Sequence, residues 1–357
     1  MSDTVKRFLR KYQATAVGNT PVQPNLPAED EEDTGTSVQR GTECAEEDWA
    51  PRTVGNAMAT ADEAPQRFID GSHTGQPVLC VRSSQGYPIP LFLSEVGCVA
   101  MRQAGRGFER EFATVERVLS FVVDPFDWAE IEAFSADLMN SPEFQLRVLP
   151  ASVPQEKYNP FDYEVMRSQA RNRAVQEMES LERLAFNMDR KVPAMIDGNI
   201  DRVAVTPKAN DALVVGVVKT HSTNYLHAKG WQTLLQLEAE ERTPVFELSG
   251  TASKLPVATW YVKLTGSTRL APNWGYVRVE VPLNQFKERT VNDFGFVDRL
   301  SRWVIAAKCT SQSYARMPVS LEPIVRAEDA LKPLFTPPMV LVNRLYRTAG
   351  LFRGAEL

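Results

Sequence analysis

The sequence predicts an α/β protein built on a mixed sheet flanked by helices. Three observations carry that expectation. Between Arg67 and Asp124 four short runs, RFID, PVLCVRS, CVAMR and VLSFVVD, are rich in β-branched or aromatic residues. Turn signals such as Ser83-Ser84-Gln85-Gly86 and Gln103-Ala104-Gly105 separate them. A long helical stretch over residues 160–190 is then stopped by Pro193, just before an apolar strand at Ala194–Asp197. From there strands and helices alternate. Several strands, one helix, one strand and then alternation suit a mixed sheet rather than a purely parallel one.

Taken in order, the elements start with Val5, Phe8, Leu9 and Tyr12, which fall at helical spacing beside Lys6, Arg7, Arg10 and Lys11. The spacing predicts a short helix over residues 4–13, either a plain surface helix or a docking peptide for a partner. Residues 14–65 are rich in Ala, Thr, Gly, Pro and Glu and poor in large apolar side chains, too poor to offset the entropy of ordering them. An acidic, flexible arm or linker is therefore expected over 1–65, and the organised body over 66–330. Within the body, residues 127–147 read as helical with a break at Pro142, and Ala212–Lys219 (ALVVGVVK) as a strongly buried strand. A helix follows through Trp231–Glu241, then strands at Trp260–Leu264 and Tyr276–Val281, a helix at Phe294–Lys308 and a helical extension over 331–357. No internal repeat is visible.

Hydrophobic residues make up 43% of the chain and charged ones 24%, an ordinary globular composition. No run approaches the ~20 apolar residues needed to cross a bilayer. The opening MSDTVKRFLRKYQ lacks the apolar region of a secretory signal, so a cytoplasmic protein without a membrane partner is expected. Cys44, Cys80, Cys98 and Cys309 form no CxxC pair, which argues against a zinc knuckle or a disulfide framework. The formal charge of −5 speaks at first against nucleic acid. Its distribution weakens that inference: residues 1–65 hold 12 acidic and 6 basic side chains, whereas the remaining residues hold 33 and 34.

The most informative feature is a repeated strand end. Arg-Phe-Ile-Asp70-Gly71-Ser72 and Ala-Met-Ile-Asp197-Gly198-Asn199 each place an aspartate after an apolar strand and before a glycine. Asp-Gly is ordinary turn chemistry. Two converging carboxylates on rigid strand ends are also suited to hard divalent cations, which in pairs stabilise the attacking and leaving oxygens of a phosphoryl displacement. On the preceding helix, Ala174, Met178, Leu181, Leu184, Ala185 and Met188 share one arc at 100° per residue. Glu177 falls inside that arc and is the first candidate for a third carboxylate; Glu182, at its opposite edge, is the second. The alternative for Glu177 is an ion pair with Arg171 or Arg173. Lys219 ends the buried strand and suits a phosphate oxygen, or simply snorkels there. Arg278 and Glu280 alternate with valines and share one strand face, as an ion pair shaping the site or as a solvated face; Arg278 is a further candidate for the phosphate.

These segments, in this order, resemble the NurA nuclease family. The resemblance rests on Ile-Asp70-Gly-Ser, Ile-Asp197-Gly after a long helix, Val-Gly-Val-Val-Lys219, Trp-Tyr-Val-Lys-Leu and Val-Arg278-Val-Glu280-Val-Pro, between about residue 66 and about residue 330. It implies an RNase H-like fold and cleavage of DNA dependent on Mn²⁺ (or Mg²⁺). It also implies a toroidal homodimer that docks on a HerA-type hexameric ATPase and works in DNA-end resection, in repair or in defence against foreign DNA. By position, Asp70 and Asp197 would be metal ligands, Glu177 (or Glu182) the intervening carboxylate and Lys219 the basic residue near the phosphate. Two departures stand out. Residues 100–165 suggest an insertion, and the family's C-terminal Tyr-Pro…Ala-His segment is matched only by Tyr314-Ala-Arg-Met-Pro-Val-Ser-Leu321, with no histidine after it. His73 and His221 are the substitutes in reach, or ordinary polar loop residues. The rival expectations are an actin-like-fold ATPase, which also uses Asp-Gly turns, and a degenerate subunit that clamps DNA or regulates a motor without cutting.

Overall fold

The computed structural model describes residues 3–17, 40–41, 43–83, 86–141, 144–153, 163–203, 207–208, 211–220, 225–249, 255–266, 274–291, 293–310, 320–349 and 351. The chain begins with helix α1 (Asp3–Lys11) and the short strands β1 (Thr15–Ala16), β2 (Arg40–Gly41) and β3 (Arg52–Thr53). Three long strands follow, β4 (Arg67–Arg82), β5 (Pro88–Ala104) and β6 (Gly107–Val122), then helix α2 (Trp128–Met139), strand β7 (Arg147–Ala151) and helix α3 (Tyr163–Met188). Next come β8 (Ala194–Asp197), β9 (Val214–Val218), α4 (Ala228–Gln236), β10 (Glu241–Arg242), β11 (Phe246–Leu248), β12 (Val257–Lys263) and β13 (Tyr276–Pro282). Helices α5 (Leu283–Thr290), α6 (Gly295–Ala306), α7 (Glu322–Leu331) and α8 (Pro338–Ala349) complete the order.

The strands lie in one sheet, in the order β2-β11-β12-β13-β9-β8-β4-β5-β6-β7. Strands β4, β5 and β6 form an antiparallel meander; β8 joins the first of them in parallel, and β9 joins β8 in parallel. This is the mixed, helix-flanked sheet expected, with three antiparallel strands followed by two parallel ones. The short runs RFID and PVLCVRS prove to be one strand. The half-exposed residues between them continue the ladder against β5, with a register shift at Pro77. Helix α2 stops at Met139, and Arg147 belongs to β7 rather than to the helix expected through residue 147.

Strict alternation sorts the core. Ile69, Cys98, Val118 and Ile196 point to one face, with Ala174, Met178 and Leu181 of α3. Phe68, Val99, Met195 and Val217 point to the other, with Val297 and Leu300 of α6 and Ile324 and Leu331 of α7. Each of these fully buried large side chains contributes roughly 1.5–3 kcal/mol. Buried Arg67 ties the sheet to α3 by donating to the carbonyls of Ala185 (2.9 Å) and Asp189 (2.7 Å), while its Nε meets Glu111 at 2.6 Å. That anchor lies three residues before Asp70.

The acidic arm expected over 1–65 is corrected in its described parts. Val5, Phe8, Leu9 and Tyr12 of α1 are buried in a core shared with α2, β4 and α8. Trp49 and Val54 are buried as well, and Glu43 and Glu63 pair with Arg242 (2.8 Å) and Arg299 (2.5 Å). Apolar anchors and buried ion pairs hold these segments to the body. Helix α8 is no separate extension either, since Leu341, Val342, Leu345 and Tyr346 enter the same core. Residues 18–39, His221 and residues 314–319 lie outside the described residues.

Candidate metal centre

Three adjacent parallel strands and one helix build the site. Ile69 pairs with Ile196, so Asp70 and Asp197 leave β4 and β8 at the same level. Asp197 pairs with Val217, and Lys219 follows two residues later. Phe68, Met195 and Val217 face α7, so alternation turns Asp70, Asp197 and Lys219 to that face too. The strands then part. Beyond Asp70 β4 leaves β8 and continues against β5, while the chain after β8 turns at Gly198, whose φ of +101° suits glycine. From the other side α7 contributes Glu328. One oxygen each of Asp70, Asp197 and Glu328 lie within 4.8 Å of one another. The Lys219 ammonium sits among them, 2.8 Å from Asp197 Oδ2 and 3.3 Å from Glu328 Oε1.

Electrostatics single out Asp70. Burial pushes its carboxyl well above the usual carboxylate range, and Asp197 pushes it further; Lys219 opposes them, while Glu328 and Glu182 add to the rise. Three carboxylates face one ammonium here. A proton on Asp70 is one way to balance them, and a divalent cation is the other. The donors are hard carboxylate oxygens on fixed strand and helix backbones, so the residues fit a Mn²⁺- or Mg²⁺-type ion.

The third carboxylate of the sequence reading needs correction. Glu177 is not brought to the aspartates: Arg147 holds it at 2.5 Å and Arg173 at 3.2 Å. Burial raises its pKa, but the two arginines outweigh that and leave it lowered. Glu182 comes closer. It is fully buried under β4 on the α3 side, where a Cβ at Gly71 would stand 2.5 Å from its Oε1. It therefore approaches Asp70 from across the sheet. The acid that does join the aspartates, Glu328, went unnoticed in the sequence. It lies four residues after Ile324, three after Val325 and three before Leu331, all buried, so the helical-arc argument applied to α7 would have found it.

Arg278 is also displaced from its expected role. Its neighbours Val277 and Val279 face α6 and α7, so Arg278 and Glu280 face the opposite side from Asp70. They form the expected same-face ion pair at 2.8 Å, buried rather than solvated. Arg278 donates to Asn199 Oδ1 at 3.1 Å and packs over the ring of Tyr225, while Glu280 Oε2 accepts from the Ile200 amide at 3.0 Å. Both brace the turn after Asp197 instead of facing a phosphate beside Asp70. His73 likewise points to the α3 side, 3.1 Å from Ser94 Oγ, with its pKa lowered to about 4 by burial and by Arg171.

No family model matches the sequence, and no curated protein matches it. Among solved structures, the chain is similar to the NurA nuclease from Sulfolobus solfataricus, with 10% sequence identity and a TM-score of 0.45 over 84% of this chain and 88% of that one.

Proposed function

We propose that the protein is a metal-dependent nuclease acting on DNA, with Asp70, Asp197 and Glu328 as metal ligands. The observation that carries this reading is the convergence of those three carboxylates within 4.8 Å, with Lys219 among them. The ordered motifs that resemble the NurA family support it independently. A bound Mn²⁺ or Mg²⁺ would supply an activated water and stabilise the leaving oxygen. The chain's own residues do the rest. Asp70, whose carboxyl is held above the usual range by burial and Asp197, would serve as a ligand in its ionised form, and the rigid ends of β4 and β8 hold two ligands at one level. Lys219, delivered by β9, exchanges its ion pairs for the scissile phosphate and offsets charge in the transition state. Glu280 and Arg278 keep the turn after Asp197 in place.

The test is cleavage of end-labelled linear DNA in Mn²⁺ by Asp70→Asn and Glu328→Gln. Each is expected to lose at least a hundredfold in rate while keeping the circular dichroism of the parent. Parental rates in either variant would remove that residue from the site. The proposal extends, on the resemblance alone, to a homodimer that works with a HerA-type hexameric ATPase. A second reading, a degenerate DNA-clamping subunit, draws on Lys219, whose ammonium already neutralises part of the cluster. Calorimetry separates the two, because a degenerate site takes up no Mn²⁺.

A further inference from the structure

Helices α1 and α8 carry a concentration of positive charge that the carboxylate site does not use. Lys6, Arg7 and Arg10 are exposed on α1, and Arg344 and Arg347 on α8. Among the described residues none of the five forms an ion pair; Lys11, beside them, is tied to Glu130. The two helices bury their apolar faces in one core, so their charged faces emerge at the same end of the molecule. The chain as a whole carries −5, and α2, packed on α1, adds Asp127 and Glu132 nearby, so what distinguishes this end is five exposed cations without an ion pair among the described residues.

We propose that the exposed faces of α1 and α8 form a docking surface for the phosphate backbone of DNA. A basic amphipathic helix could equally serve a membrane surface. Here that use is closed, because Val5, Phe8 and Leu9 are at most 5% exposed and already packed against the protein. What α1 offers is charge without an apolar face, and that is the chemistry of sequence-independent backbone binding. The choice of nucleic acid over another polyanion rests on the nuclease reading. The topology connects the two sites. α8 follows α7, the helix that carries Glu328, and β4 runs from Asp70 to Leu79, where β1 pairs just beyond α1. At ~3.3 Å per residue that stretch of β4 spans about 30 Å, roughly nine base pairs of duplex.

The experiment measures binding of a labelled duplex of about 20 bp to the full chain in EDTA, so that cleavage plays no part, across a salt series. Replacing Lys6, Arg7, Arg10, Arg344 and Arg347 together by Gln is expected to lower the slope of log K against log salt by about 4.5, since each phosphate contact adds ~0.9. The double variant Arg344→Gln/Arg347→Gln should lower it by about 1.8. A charge-keeping variant, Lys6→Arg with the four arginines changed to Lys, should bind as the parent does. An unchanged slope in the five-site variant overturns the proposal. So does loss of binding in the charge-keeping variant, displacement of the duplex by poly-glutamate at equal charge concentration, or binding to anionic vesicles in place of DNA. A parent that binds duplex with the expected slope yet never cuts it would sink the nuclease reading and leave this surface standing.

Discussion

A carboxylate inside a protein is stabilised by an opposite charge, a proton or a cation, and the acids of this chain divide along that line. Glu177 has two arginines and belongs to the packing of α3 against β7. Asp70 is buried among other acids with one lysine near, and its carboxyl is driven toward protonation. Glu177→Gln should therefore cost about 1 kcal/mol of stability, the range of a partly exposed ion pair, and leave Mn²⁺-dependent cleavage unchanged. A cleavage loss as large as that of Glu328→Gln would return Glu177 to the site. Asp70, Asp197 and Lys219 were legible in the sequence because each ends an apolar run, and alternation alone assigns such residues a face. Glu177 sits with arginines and away from the aspartates because the apolar arc of α3 is not the one its spacing predicts: Leu184 and Met188 are 52% and 57% exposed, and Phe186 is buried. Moved to the residues that are buried, the arc contains Glu182 instead.

Elements were more legible than their ends. The parallel strands β8 and β9 and helix α3 announce themselves by unbroken apolar runs or helical period, whereas the outer half of β6 (GFEREFAT) has no clean alternation: Phe108 and Phe112 pack on opposite faces of the sheet, across a register shift against β5 at Ala100/Met101. Partnership between elements is hardest to see, because it depends on contacts distant in sequence. The strand β4 passes so close to α3 at Gly71 that a Cβ there would stand 2.5 Å from Glu182 Oε1 and 2.8 Å from its Cδ. Gly71→Ala should thus destabilise the protein by about 1–3 kcal/mol, as overpacking does. Gly107→Ala, where the nearest atom is 3.9 Å away, should change little and serves as the control. Denaturant midpoints measure both. Equal midpoints for the two variants would mean that α3 does not press on β4 at this point.

At the scale of the whole molecule, the site is a place where folding works against charge, and this ties stability to pH and to metal. Asp70 has a folded pKa raised by burial and by Asp197 above its unfolded value. Its contribution to stability is therefore fully present below the unfolded pKa of about 3.9 and is lost as pH rises through the folded one. As pH rises above the unfolded pKa the metal-free protein should carry a growing share of this cost, and Asp70→Asn, which cannot ionise, should melt above the parent in EDTA at neutral pH. The gap between them should narrow as the solution is acidified. On the proposed function a divalent cation should reverse the order, because it would bind the folded carboxylates and not the unfolded chain. At a hundred times its dissociation constant it adds about 2.7 kcal/mol, enough to lift the parent by several degrees while the variant, short of one ligand, gains less. Thermal melts of both proteins at several pH values, with Mn²⁺ or with EDTA, read all of this in one grid. If Asp70→Asn melts below the parent in EDTA at neutral pH, the carboxylate is compensated without metal, and the strand ends are a structural ion-pair network in place of a metal centre.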